Sequence, residues 1–135
     1  MTHVDLLEQP TKSSGDTLDA LVGMVDDFAT GYDPVAKSVR DRSPRLVVCT
    51  IYEPPLVGLN TASRARVLLT LLNDHILRTA YRWGLDVLDL RAICTIPEDF
   101  TQQIAPSATG AAKIGRAIAG IAAGTGGRKV AVTAG

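Results

Sequence analysis

The run Arg45–Pro55, RLVVCTIYEPP, constrains this chain more than any other stretch. From Leu46 to Tyr52 its residues are apolar, β-branched or aromatic, with no alternation between polar and apolar. A continuous run of this kind, closed by prolines, fits a strand covered on both faces in a parallel sheet. A buried helix would need more length than Pro44 and Pro54 leave between them. A helical pattern follows over Ser63–Trp83, with Ala65, Leu68, Leu69, Leu72, Ile76, Ala80 and Trp83 in one stripe. Arg64, Asn73, Asp74, Arg78 and Arg82 fall mostly off that stripe, and Gly84 supplies a left-handed stop. A second apolar run, Leu85–Leu90, completes a strand–helix–strand unit whose two strands should lie parallel.

The fold class expected is therefore α/β: a parallel sheet with helices on its faces. Residues 1–15 read as a poorly ordered lead-in, 16–123 as the folded domain, and 124–135 as a Gly-rich tail. Before the first strand, Leu18, Leu21, Val22, Val25, Phe28 and Ala29 recur at helical spacing, with Asp16 or Thr17 as N-cap. Gly31 and Asp33-Pro34 predict either two short helices or one kinked helix ending near Arg42. Glu53–Thr61 reads as a loop leaving the sheet at its carboxyl edge, where open α/β sheets bind ligands. Asp89, near the end of the second strand, is placed to bond loop amides. Ala92–Ala105 reads as irregular, with one helical turn over Glu98–Gln103. Ser107 caps a last helix, Ala108–Ala123, with Ala111, Ile114, Ile118 and Ile121 inward. Its small residues allow close approach to the sheet. Lys129–Thr133 could pair as a short edge strand.

Composition removes several function classes. Fourteen basic residues balance fourteen acidic ones with no basic run, which argues against nucleic acid or an anionic membrane as partner. No stretch approaches the roughly 18 apolar residues of a membrane span, and no secretion signal is visible, so a cytoplasmic location is expected. Cys49 and Cys94 read as two buried, reduced cysteines. No ligand set at metal-site spacing accompanies them, and no metal or cofactor is expected.

Each chemical motif has a plainer reading. Gly15-Asp16-Thr17-Leu18 has the form of a Gly-Asp-Ser-Leu nucleophile block with Thr for Ser, but the polar residues before it cannot form the strand such a nucleophile needs. It reads as a helix start. Gly124-Thr125-Gly126-Gly127-Arg128-Lys129 is glycine-rich and basic. It follows a helix, whereas a phosphate loop must precede one, which also weakens a nucleotide-binding flavodoxin-like reading. His75 reads as a surface or boundary histidine, and His3 lies in the lead-in. Neither is near a strand end, so a hydrolytic triad has no obvious base. Ser63 and Ser107, the serines near the carboxyl-edge loops, read as helix caps.

Four segments together resemble the C-terminal part of SGNH/GDSL-type acyl-hydrolases. They are Cys49–Tyr52 (CTIY), Asn73–Ala80 (NDHILRTA), Leu88–Arg91 (LDLR) and Pro106–Ile118 (PSATGAAKIGRAI). The resemblance implies a flavodoxin-like three-layer sandwich, here partial, with its N-terminal strands missing. It also implies ester hydrolysis through an acyl-enzyme. In the family Asp-x-x-His precedes the last motif. Aligned on Pro106-Ser107, the acid position falls at Gln102 and the base position at Ala105. The family's Gly-Asp-Ser nucleophile and its oxyanion-hole Gly and Asn have no counterpart in this sequence. The expectation is a truncated family member, inactive alone, that would act on a small ester only if the missing part were supplied. The other expectation is a non-catalytic module that completes its sheet with a partner chain, or with itself, through an exposed sheet edge.

Overall fold

A computed structural model describes residues 13–43, 45–56, 58–101 and 105–123. The expected Gly-rich tail, the Lys129–Thr133 strand, most of the lead-in, His3 and Gln102 lie outside them. The elements run in chain order as α1 (Ser14–Arg42), β1 (Val47–Cys49), α2 (Leu59–Trp83), β2 (Asp86–Leu88), α3 (Leu90–Ile93), a 3₁₀ turn (Pro97–Asp99), β3 (Phe100–Thr101), β4 (Ala105–Pro106) and α4 (Ala108–Ala122). The protein is α/β and mostly helical. β1 and β2 pair in parallel, with Val47 opposite Asp86, Val48 opposite Val87 and Cys49 opposite Leu88. β3 and β4 form a separate short antiparallel pair.

Alternation along the two strands sends side chains to opposite faces. On one face Val48 and Val87 pack with Ile76, Ala80 and Leu85, flanked by Phe28 and Tyr32. On the other, Val47 and Leu88 pack with Ile93, Cys94, Ala117 and Ile121. A third cluster joins Met24 of α1 to Leu68 and Leu72 of α2. Asp33 meets His75 and Arg40 lies over Trp83, so α1 and α2 run side by side in the same direction.

The α2 stripe falls as its periodicity predicts: Ala65, Leu68, Leu72, Ile76 and Ala80 are all buried. Gly84 ends the helix at φ 65°, in the left-handed region where a Cβ would be penalised. For α1 the structure takes the single-helix alternative ending at Arg42, with Pro34 inside it and Asp33 paired with His75 instead of capping a new turn. Two expectations about the helices need correction. The N-cap of α1 is Ser13, whose hydroxyl accepts the Asp16 N–H at 3.1 Å. The helix therefore takes in Ser14 and Gly15 from the expected lead-in. Asn73, placed mostly off the buried stripe by periodicity, is fully buried.

The inward face of α4 is also shifted. Gly110, Ile114, Ala117 and Ile121 point inward, while Ala111 and Ile118 are exposed. The cause is a close backbone approach at Gly110, where a Cβ would land inside the carbonyl oxygen of Asp99. Gly110 brings the first turn of α4 against the 3₁₀ turn, while Ala117 and Ile121 further along pack on the sheet. Gly115 has open space around it. We therefore expect opposite signs in urea denaturation. Gly110→Ala should destabilise by about 1–3 kcal/mol through overpacking against backbone. Gly115→Ala should stabilise by about 0.5–1 kcal/mol through helix propensity.

Candidate functional site at the carboxyl edge of the sheet

Both parallel strands end at one rim, and their last residues are tied there. Thr50 continues the ladder by donating its N–H to the Leu88 carbonyl at 3.1 Å. Its hydroxyl donates to Asp89 Oδ1 at 2.9 Å and accepts the Leu90 N–H at 2.9 Å. As the sequence suggested, Asp89 binds loop amides: Oδ1 also takes the Arg91 N–H at 3.1 Å and so caps α3. Arg91 closes on both oxygens of the same carboxylate, at 2.9 Å each. This fork holds the Asp89 carboxyl below the usual carboxylate range, with the Thr50 hydroxyl adding to the effect.

One residue further along β1, the chain is held by a side chain. Asn73 Oδ1 accepts the Ile51 N–H at 2.7 Å, and Asn73 Nδ2 donates to the Ile51 carbonyl at 2.9 Å. The amide of a buried helical residue thus stands where a neighbouring strand would pair. Periodicity misses Asn73, since its role is set by hydrogen bonding. A polar residue one position beyond Leu72 in an apolar helix is the available signal.

The loop after α3 is organised by Asp99, which is fully buried. Its Oδ2 accepts the Thr95 N–H at 2.9 Å, the Ile96 N–H at 3.2 Å and a hydrogen bond from Lys113 Nζ at 3.0 Å. Its Oδ1 lies 2.8 Å from the same ammonium. Lys113 and these amides hold the Asp99 carboxyl below its ordinary value. Ser107 fastens the start of α4 to this loop. Its hydroxyl donates to the Glu98 carbonyl at 2.6 Å and accepts the Gly110 N–H at 3.1 Å.

Between this loop and the first turns of α2 lies a cleft of about 400 Å³. Pro54, Pro55, Leu69, Ile96, Pro97 and Phe100 give it apolar walls. Ser63, Thr95, Glu53 and Arg66 add polar groups, the last two paired at 3.7 Å. Phe100 packs on Tyr52, with ring centroids 5.3 Å apart.

The candidate residues do not assemble into a catalytic group. Ala105, the expected base position, is exposed in β4 opposite Thr101, the residue after Phe100. Ser107 is a helix cap as expected, but Ser63 lies within α2, whose N-cap is Gly58. Gly15-Asp16-Thr17-Leu18 forms the first turn of α1, in keeping with its reading as a helix start. Cys94 is buried, but Cys49 is exposed, because among the described residues no strand pairs with β1 on the side away from β2. His75, half-buried at the boundary, contacts Asp33 at 2.6 Å between Phe28 and Tyr32. From Ser63 it stands about 18 Å along the helix axis at 1.5 Å per residue, so this carboxylate–imidazole pair serves the α1–α2 contact and not the cleft. Among the described residues no histidine lines the cleft. Among the described residues no group of three or more His, Cys, Asp or Glu could hold a metal ion. None of the described helices is long and apolar enough to cross a membrane.

The chain matches no family model, no curated protein and no solved structure.

Two measurements test the rim. Asn73→Leu removes the partners of the half-buried Ile51 N–H and C=O together and should destabilise by about 1–3 kcal/mol in urea denaturation. Asp89 and Asp99 have depressed folded-state pKa values. Their contribution is complete above the unfolded carboxylate value of about 3.9 and is lost as pH falls through the folded values. Thermal unfolding from neutral to strongly acid pH should show Tm falling below about pH 4. In Asp99→Asn the neutral Tm should be lower and the acid fall shallower.

Proposed function

We propose that this chain carries the last two βα units of an SGNH/GDSL-type ester-hydrolase domain, and that the 135-residue chain has no esterase activity of its own. The supporting observation is the meeting of three of the resembling segments around one rim. CTIY and LDLR leave the parallel strands side by side, joined through Thr50 and Asp89. The PSATG segment begins α4, which Ser107 and Lys113 fasten to the loop that follows α3 from that rim. The aligned base position, Ala105, then lies next to the cleft wall formed by Phe100. In this reading the architecture is the carboxyl-terminal side of a flavodoxin-like three-layer sandwich.

Inactivity follows from the atoms present. Alanine cannot take a proton from an attacking hydroxyl, and the half-buried Asp89 and the buried Asp99 are already paired with Arg91 and Lys113. The polar and apolar walls of the cleft suit a small, uncharged ester, but binding without a nucleophile and base leaves the bond intact.

The test is hydrolysis of p-nitrophenyl acetate by the purified chain. Release of p-nitrophenol should not exceed the rate with a non-enzymatic protein at equal concentration. Turnover abolished by a serine-directed phosphonate would overturn the inactivity. Membership is tested by complementation. The Gln102→Asp, Ala105→His double variant, mixed with an amino-terminal fragment of an SGNH esterase that carries its Gly-Asp-Ser block, should give phosphonate-sensitive hydrolysis. The unsubstituted chain mixed with the same fragment should not.

A further inference from the structure

The open edge of β1 has a pattern of its own. In a strand, successive residues turn their N–H and C=O to opposite sides. Thr50 directs its N–H to Leu88, so Val48 and Thr50 face β2, while Arg45, Val47, Cys49 and Ile51 face away. Two of these four outward positions are already occupied. The Arg45 carbonyl accepts the Ser43 hydroxyl at 2.8 Å, and both backbone groups of Ile51 are held by Asn73. Val47 and Cys49 remain, and among the described residues no strand pairs with them on this side.

This edge is symmetric about Val48. A two-fold rotation centred there exchanges Val47 with Cys49, open position for open position. It also exchanges Arg45 with Ile51, occupied for occupied. We infer that β1 pairs antiparallel with β1 of a second copy of this chain, Val47 opposite Cys49 and Val48 opposite itself, giving a continuous four-stranded sheet in a homodimer.

Several observations select a second copy over other occupants. Antiparallel ladders form hydrogen-bonded pairs at every second residue, so this register makes two such pairs and four backbone bonds. It leaves no outward group of either strand to compete with Ser43 or Asn73. A longer foreign strand would run into both occupied positions. The open residues are uncharged, and the chain has zero formal net charge, so like-charge repulsion does not oppose self-pairing. Cys49 is exposed in the single chain and would be covered by the second strand. The inference is independent of the ester-hydrolase reading, since sedimentation and cross-linking do not depend on esterase chemistry.

Sedimentation of the full chain under reducing conditions across the micromolar range should show a monomer–dimer equilibrium. Cys49→Pro removes an outward N–H without touching a β1–β2 bond. It should sediment as a monomer while keeping its circular dichroism. Cys49→Ser should still dimerise. Should the proline variant fail to fold, Val47→Cys tests the register directly. Hydrogen-bonded antiparallel partners have Cα atoms about 5.5 Å apart, within disulfide reach. Mild oxidation should therefore join the introduced thiol to Cys49 of the other copy, giving a covalent dimer on a non-reducing gel. A wild-type chain that stays monomeric, a dimer that persists in a folded Cys49→Pro variant, or no cross-linking of Val47→Cys would each overturn the inference.

Discussion

A parallel sheet of two strands has a difficulty that larger sheets avoid: every residue near its end has backbone groups with no neighbouring strand to meet them. This protein answers it with the side chain of Asn73, which satisfies both the N–H and the C=O of Ile51 from inside α2. The same amide fixes where the chain leaves β1, and so where Glu53, Pro54 and Pro55 stand. Thr50 does comparable work on the β2 side, where its hydroxyl both donates and accepts. The rim is thus shaped by short polar side chains that stand in for strands.

What the sequence reveals and what it hides divide along the same line. The continuous run Leu46–Tyr52 and the stripe from Ala65 to Ala80 identify β1 and α2 because burial imposes a period or removes one. Asp89 was legible as well, since a carboxylate ending a strand has amides close at hand. Asn73 was not, because one polar residue between buried neighbours barely alters a periodic pattern. The register of α4 was missed for a related reason. A run of alanines, glycines and isoleucines offers several equivalent stripes, and the contact that decides among them, Gly110 against the Asp99 carbonyl, lies eleven residues away in sequence. Pro34 left two alternatives open, two helices or one, and the structure has one. A proline breaks an isolated helix, but packing of α1 along α2 carries the helix through it.

Two carboxylates, one half-buried and one buried, are used alike near this rim. Asp89 and Asp99 are each neutralised on the spot, by Arg91 and Lys113, and each organises the amides of a turn. Their lowered proton affinities come from these cations and amides, and both carboxylates act as structural anchors of their turns. In the ester-hydrolase reading, the chain retains the scaffold that positions a base and carries alanine at that position.

One further consequence concerns Trp83, the single tryptophan of the chain, which lies beneath the Arg40 guanidinium at 4.5 Å where the last turns of α1 and α2 meet. That placement gives the molecule a native optical reporter. Its emission follows the seating of the α1 end on α2, far along both helices from the sheet rim. Fluorescence can therefore distinguish an undocked first helix from a disturbed rim without any added label.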